Sequence, residues 1–141
     1  MSLRGFDTVA VGDTLPVLTV ELDRAALVAY AAASGDHNAI HWSDRVAQEV
    51  GLPGVIAHGM LTMGVASRTL TEWAGEPTAV VAYSTRFTRP VVVPDPGVVV
   101  LEVSGSVRST DADAREVVVD LTVGVGGETV LTKTRATLRL A

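Results

Sequence analysis

An α+β domain, with an antiparallel sheet curled around one long helix, is the fold class that this sequence predicts. Three observations carry the prediction. The residue grammar changes from helical to strand-like near Thr78. The segment Met60 to Trp73 is apolar on nearly every side, the mark of a helix with neighbours all round. Four strand-like runs then follow, separated by turn signals at Pro94-Asp95-Pro96-Gly97, Asp111-Ala112-Asp113 and Gly126-Gly127 that suit antiparallel hairpins. Helices followed by such strands give an α+β fold, and 141 residues suffice for one domain with a real core. The expectation is one domain across residues 1–141.

Taken in order, residues 1–15 read as an irregular lead-in with a turn at Val11-Gly12-Asp13. Pro16 to Leu22 is rich in Val and Thr and predicts an edge strand, where an initial Pro is tolerated. Asp23 is placed to cap the helix Arg24 to Ala33, which is dominated by good helix formers. Gly35 suits the left-handed residue that ends it. Ser43 caps a short helix, Asp44 to Val50, stopped by Gly51. The long segment Met60 to Trp73 ends at Gly75 and Pro77. Met60 and Met63 are expected in the core, and Gly64 implies close approach of a neighbouring backbone. The strand runs are Val80 to Arg89, Val98 to Arg108, Arg115 to Val125 and Glu128 to Leu140. In the third, Val117, Val119, Leu121, Val123 and Val125 share one face, with Glu116, Asp120 and Thr122 opposite. A sheet wrapped round one apolar helix is the hot-dog architecture.

Composition excludes several chemistries. Hydrophobic residues make up 48% and charged residues 19%, a globular balance. There is no cysteine, hence no disulfide, thiolate nucleophile or cysteine-bound metal. A net charge of −5 without a basic run gives nucleic acid no electrostatic footprint. The N-terminus lacks a signal-peptide core, and no apolar run reaches the length of a membrane span. The expected setting is therefore the cytoplasm, with no membrane partner.

The titratable residues are unevenly distributed. Asp36, His37, Asn38 and His41 fall within Ser34–His41, and His58 lies in the second Gly-rich turn, Ala57-His58-Gly59-Met60. An imidazole and a carboxylate on one loop can share two proton transfers. As a bare turn the loop needs no function, since Gly, Asp and Asn are ordinary turn formers. His37 reads as solvent-exposed, and His58 as a helix-capping or packing residue. A metal site is not expected, because no helical ligand spacing is present, and no cofactor is called for. Trp42 either lines an entrance or packs beside the loop.

The run Tyr30-Ala31-Ala32-Ala33-Ser34-Gly35-Asp36-His37-Asn38-Ala39-Ile40-His41, with Ala57-His58-Gly59-Met60 after it, resembles the MaoC-like hydratase/dehydratase family. The resemblance extends over the whole chain. The Gly-Asp-x-Asn-x-Ile-His-Trp, Ala-His-Gly-Met-Leu-Thr-Met-Gly and Arg-Phe-Thr segments resemble subunits of (3R)-hydroxyacyl-ACP dehydratases within it. One departure is Ala39, where the family usually has Pro; Pro supplies no chemistry, so activity is not thereby lost. The resemblance implies reversible conversion of trans-2-enoyl and (3R)-3-hydroxyacyl thioesters of CoA or ACP. It implies Asp36 and His41 as the catalytic pair, and the Gly59 N–H as the oxyanion and substrate-binding donor. Asn38, Ser67 and His58 would support them, Ser67 by backing the aspartate. A single hot-dog domain leaves a sheet edge and an apolar sheet face to be covered, so a dimer is expected; the resemblance implies that the partner is either a second copy, giving a homodimer, or another hot-dog subunit, giving a heterodimer. Arg68, Arg86 and Arg89 are the candidates to meet a phosphate. Two other functions stand beside this one: a hot-dog acyl-thioesterase, and a non-catalytic partner subunit of a heterodimeric dehydratase.

Overall fold

The computed structural model describes residues 2–141. Its elements are β1 (Thr14–Leu22), α1 (Arg24–Ser34), α2 (Asp44–Glu49), α3 (Gly59–Ala74), β2 (Val80–Phe87), β3 (Val99–Asp111), β4 (Glu116–Val125) and β5 (Glu128–Arg139). Short 3-10 turns occupy Phe6–Thr8, Ala39–His41 and Pro77–Ala79. The five strands form one antiparallel sheet in the order β1-β3-β4-β5-β2. The Pro16-bearing strand is therefore an edge, and its register slips between Leu15 and Leu18, beside the residue that has no N–H to donate. Gly126 and Gly127 sit at φ 57° and 82°, joining Val125 to its partner Glu128 by the tight turn that only such residues allow. Register shifts in all four ladders add twist and curl the sheet. This is the hot-dog fold.

The sheet's concave face takes α3. The strand side chains beneath it include Leu101, Val103, Val117, Val119, Val123 and Leu138, each fully buried. From the helix come Thr62, Ala66, Thr69, Leu70, Trp73 and Ala74. Their spacing of three and four residues makes one stripe. The lead-in is more ordered than the sequence suggested. Arg4 donates Nε–H to the Trp73 carbonyl at 2.8 Å and places its guanidinium 4.7 Å over the indole, closing the far end of α3.

Four expectations need correction. The turn at Pro94-Asp95-Pro96-Gly97 makes no hairpin: the strands it joins lie apart, β2 pairing with β5 and β3 with β1 and β4. α3 is not enclosed on all sides: Met60 is 60% exposed, because the sheet of one chain reaches only one face of the helix. Among the described residues a Cβ at Gly64 would meet nothing within 4 Å, so no neighbouring backbone approaches it. The convex sheet face is charged and not apolar. Asp120 there takes Arg135 at 2.6 Å and Arg108 at 3.1 Å, and Glu116 takes Arg139 at 2.7 Å. Among the described residues no helix is long and apolar enough to cross a membrane.

Asp44 fastens the segment beneath the candidate site. It accepts two Arg24 N–H groups and, through Oδ1, the Val55 amide at 3.0 Å. The Arg24 side chain, then the Val55 N–H, holds its carboxyl below the ordinary value of 3.8. Its folded pKa is thus below the unfolded one, so its contribution is present at neutral pH and lost as pH falls through 3.8 and below. The expected result for Asp44→Asn is a urea midpoint lower than wild type at neutral pH, with the gap closing at acid pH. A gap independent of pH would refute the linkage.

Candidate active site

The loop that carries Asp36 and His41 is fixed at both ends by local chemistry. Asp23 accepts the Ala26 N–H at 2.8 Å to start α1, and Gly35, at φ 77°, ends it in the left-handed conformation. Beyond it, Asp36 Oδ1 accepts the Asn38 N–H and Asn38 Oδ1 accepts the Ile40 N–H, each at 3.2 Å. Asn38 thereby caps the 3-10 turn that ends in His41. Ser43 in turn caps α2 by accepting the Val46 N–H.

The ring of His41 is oriented from a distant segment. Residues 55–57 run as a short extended piece: Val93 N–H donates to the Val55 carbonyl, Ala57 N–H to Val91, and Ile56 N–H to Ile40. This leaves the Ile56 carbonyl facing His41 Nδ1 at 2.7 Å. A carbonyl only accepts, so in neutral His41 the proton is on Nδ1 and Nε2 keeps its lone pair. That lone pair looks toward Asp36 Oδ2, 3.8 Å away. The separation is too long for a direct hydrogen bond and leaves room for an oxygen between them. His41 is buried, whereas the Asp36 side chain is 51% exposed.

His58 ties the two together. Its ring stacks on His41 with centroids 3.8 Å apart, and Tyr30 meets it edge-on at 4.8 Å. Its Nε2–H donates to the Asp36 carbonyl at 3.1 Å, leaving Nδ1 buried and without a partner. It makes no side-chain cap to α3, so of the two roles expected it takes packing. The first turn of α3 is left with unpaired donors: among the described residues the Gly59 and Met60 amides have no acceptor. Such a helix start favours developing negative charge.

A cavity of about 330 Å³ opens beside His41, walled by Ile56, Ala57, Val91, Leu131 and Phe87. A second, of about 440 Å³, opens beside Asp36 with Tyr30, Ser34, His58 and Met60. The structure thus gathers Asp36, His41, Asn38, His58 and Gly59. It does not bring Ser67 to them: Ser67 Oγ donates to the Gly64 carbonyl at 2.6 Å. Eight residues past Gly59, it stands about 12 Å along the helix axis. His37 is exposed, and its carbonyl accepts the Trp42 indole N–H at 3.1 Å. Arg68 pairs with Glu72 and Arg89 with Glu128, while Arg86 has no ion pair among the described residues. Sequence reasoning missed the Ile56 carbonyl, which no side-chain pattern advertises. It also missed Phe87, whose only signal was its place in Arg-Phe-Thr.

Asp36, His41 and His58 offer ligand atoms within 4.8 Å of one another. The two imidazole planes lie only 23° from parallel, so their lone pairs do not converge at the ~2.0–2.1 Å a zinc–nitrogen bond needs. The arrangement suits proton transfer: a base on Nε2, a carboxylate facing it, and amide donors beside both.

Residues 7–126 match the family described as the MaoC like domain. The chain is 31% identical over 127 residues to a 3-hydroxybutyryl-CoA dehydratase of Methylorubrum extorquens, covering 89% of this chain and 78% of that protein. It is 39% identical over 79 residues to 3-hydroxyacyl-thioester dehydratase X of Mycobacterium tuberculosis, covering 56% of this chain and 27% of the relative. A solved MaoC-like dehydratase superposes with a TM-score of 0.96 at 38% identity, covering 99% of this chain and 43% of that one. The chain thus spans about a quarter of the second relative and less than half of the solved structure.

Proposed function

We propose, from the premise that the chain belongs to the MaoC-like domain family, that it is a hydro-lyase interconverting trans-2-enoyl and (3R)-3-hydroxyacyl thioesters of CoA or ACP. The observation that carries the reading is the 3.8 Å gap between His41 Nε2 and Asp36 Oδ2, beside the unpaired amides of α3. In hydration, a water held in that gap gives a proton to the pair as its oxygen bonds to the β-carbon. The enolate charge grows on the thioester oxygen, where the Gly59 N–H stabilises it, and the α-carbon then takes a proton from the protonated His41. Dehydration runs the same transfers backward: His41 Nε2 takes the α-proton, and Asp36, which starts this direction in its protonated form, gives its proton to the departing hydroxyl, which leaves as water. His58 and Asn38 hold the two groups in place. No step calls for a cofactor.

The same reading has the chain working in the cytoplasm, within fatty-acid metabolism, as a homodimer or beside a second hot-dog subunit. Support for a partner comes from α3, whose Met60 face is open, and from β2, which is paired on one side only. Incubation with trans-2-enoyl-CoA thioesters from crotonyl to dodecenoyl tests the activity. Loss of enoyl absorbance without free thiol is the expected result. Release of thiol would instead make the protein a thioesterase.

A further inference from the structure

The two cavities share only Gly59 and Phe87. The Phe87 ring rests on the glycine: a Cβ built there would lie 3.0 Å from Cε1 and 3.1 Å from Cδ1. A side chain at position 59 would press on this ring, which would have to give way by a few tenths of an ångström. Phe87 is the last residue of β2, placed by its pairing with Leu131, and its ring is 53% exposed, so core burial does not account for an aromatic side chain there. A thioester whose carbonyl oxygen reaches the Gly59 N–H, and whose reacting carbons lie at the Asp36–His41 gap, must pass along that ring. The α-carbon is bonded directly to the carbonyl carbon, so a substituent on it lies within a few ångströms of the Gly59–Phe87 contact.

The geometry points to Phe87 as a specificity-determining residue: its ring, set on Gly59 between the Asp36 and His41 cavities, admits unbranched 2-enoyl thioesters and hinders those with an α-methyl group. This rests on the hydratase reading of the site. The reaction itself is unchanged, with water adding across the same double bond. What differs is the space for one methyl group at the α-carbon. Steric discrimination at that scale is worth about 10–200-fold in kcat/KM.

The experiment compares crotonyl-CoA with its 2-methyl analogue, followed by loss of enoyl absorbance, in wild type, Phe87→Ala and Phe87→Leu. The kcat/KM ratio of branched to unbranched substrate is expected to rise at least tenfold in Phe87→Ala and by less in Phe87→Leu. An unchanged ratio in variants with wild-type melting would overturn the assignment to Phe87 while leaving the hydratase reading intact. Absence of turnover by wild type on every enoyl-CoA from crotonyl to dodecenoyl would instead overturn the hydratase reading and this inference with it. A Gly59→Ala change tests the contact independently. It should lower activity, and adding Phe87→Leu should restore part of the loss, because the shorter side chain relieves the collision. Strictly additive losses would count against the contact.

Discussion

His41→Gln and Asp36→Asn are each expected to lower enoyl-CoA turnover by about 10²–10⁴-fold, the range removed with one positioned acid or base. Glutamine keeps an amide near the Ile56 carbonyl but has no lone pair basic enough to take a proton at Nε2's position. Asparagine keeps the shape of Asp36 and its acceptor for the Asn38 N–H, and loses only the charge and the capacity to exchange a proton. The Asp36 side chain is half exposed, so Asp36→Asn should melt close to wild type. That separates a chemical loss from an unfolded protein. The two groups face one gap, so the double variant should be scarcely worse than the poorer single one. Steady-state rates for the four proteins decide this. Turnover unchanged in either single variant removes that residue from the mechanism, and multiplicative losses would mean two independent sites of action.

The largest expected effect on stability is at Leu70. It is fully buried in the α3 stripe against the sheet, and Leu70→Ala should cost about 2–5 kcal/mol, read as a lower urea midpoint. Met60, on the same helix, is 60% exposed, and Met60→Ala should change the stability of a single chain by no more than about 0.5 kcal/mol. The contrast tests whether α3 is held by one face or by all of them. Equal losses at the two positions would mean that the Met60 face is also covered, by a second copy of the chain.

That contrast also marks where sequence reading fell short. Hydrophobicity alone could not distinguish Met60 from Leu70, because a helix apolar nearly all round looks the same whether its neighbours belong to its own chain or to another. Gly64 was misread as well. Among the described residues nothing stands where its neighbour was expected. Charge on the convex face was visible residue by residue in Glu116, Asp120 and Arg135. Only strand pairing showed that Asp120 and Arg135 lie opposite each other and make that face polar.

Local signals were legible because their causes are local. Asp23 and Ser43 cap the helices they precede, Gly35 and Gly75 end the ones they follow, and Gly126-Gly127 turns β4 into β5. Pro16 on an edge follows from the same grammar, but the sheet order does not: β2 pairs with β5 across the sheet and not with β3, its neighbour in sequence. Tertiary structure decided what depends on distance through space. It set the tautomer of His41 through a carbonyl fifteen residues away. It stacked His58 on His41 and turned Ser67 to its own helix. It also laid Phe87 on Gly59, a contact between residues 28 positions apart. Spacing along a chain determines helices, turns and faces. Which backbone carbonyl or ring comes to rest beside a catalytic atom is settled only when the sheet closes over α3.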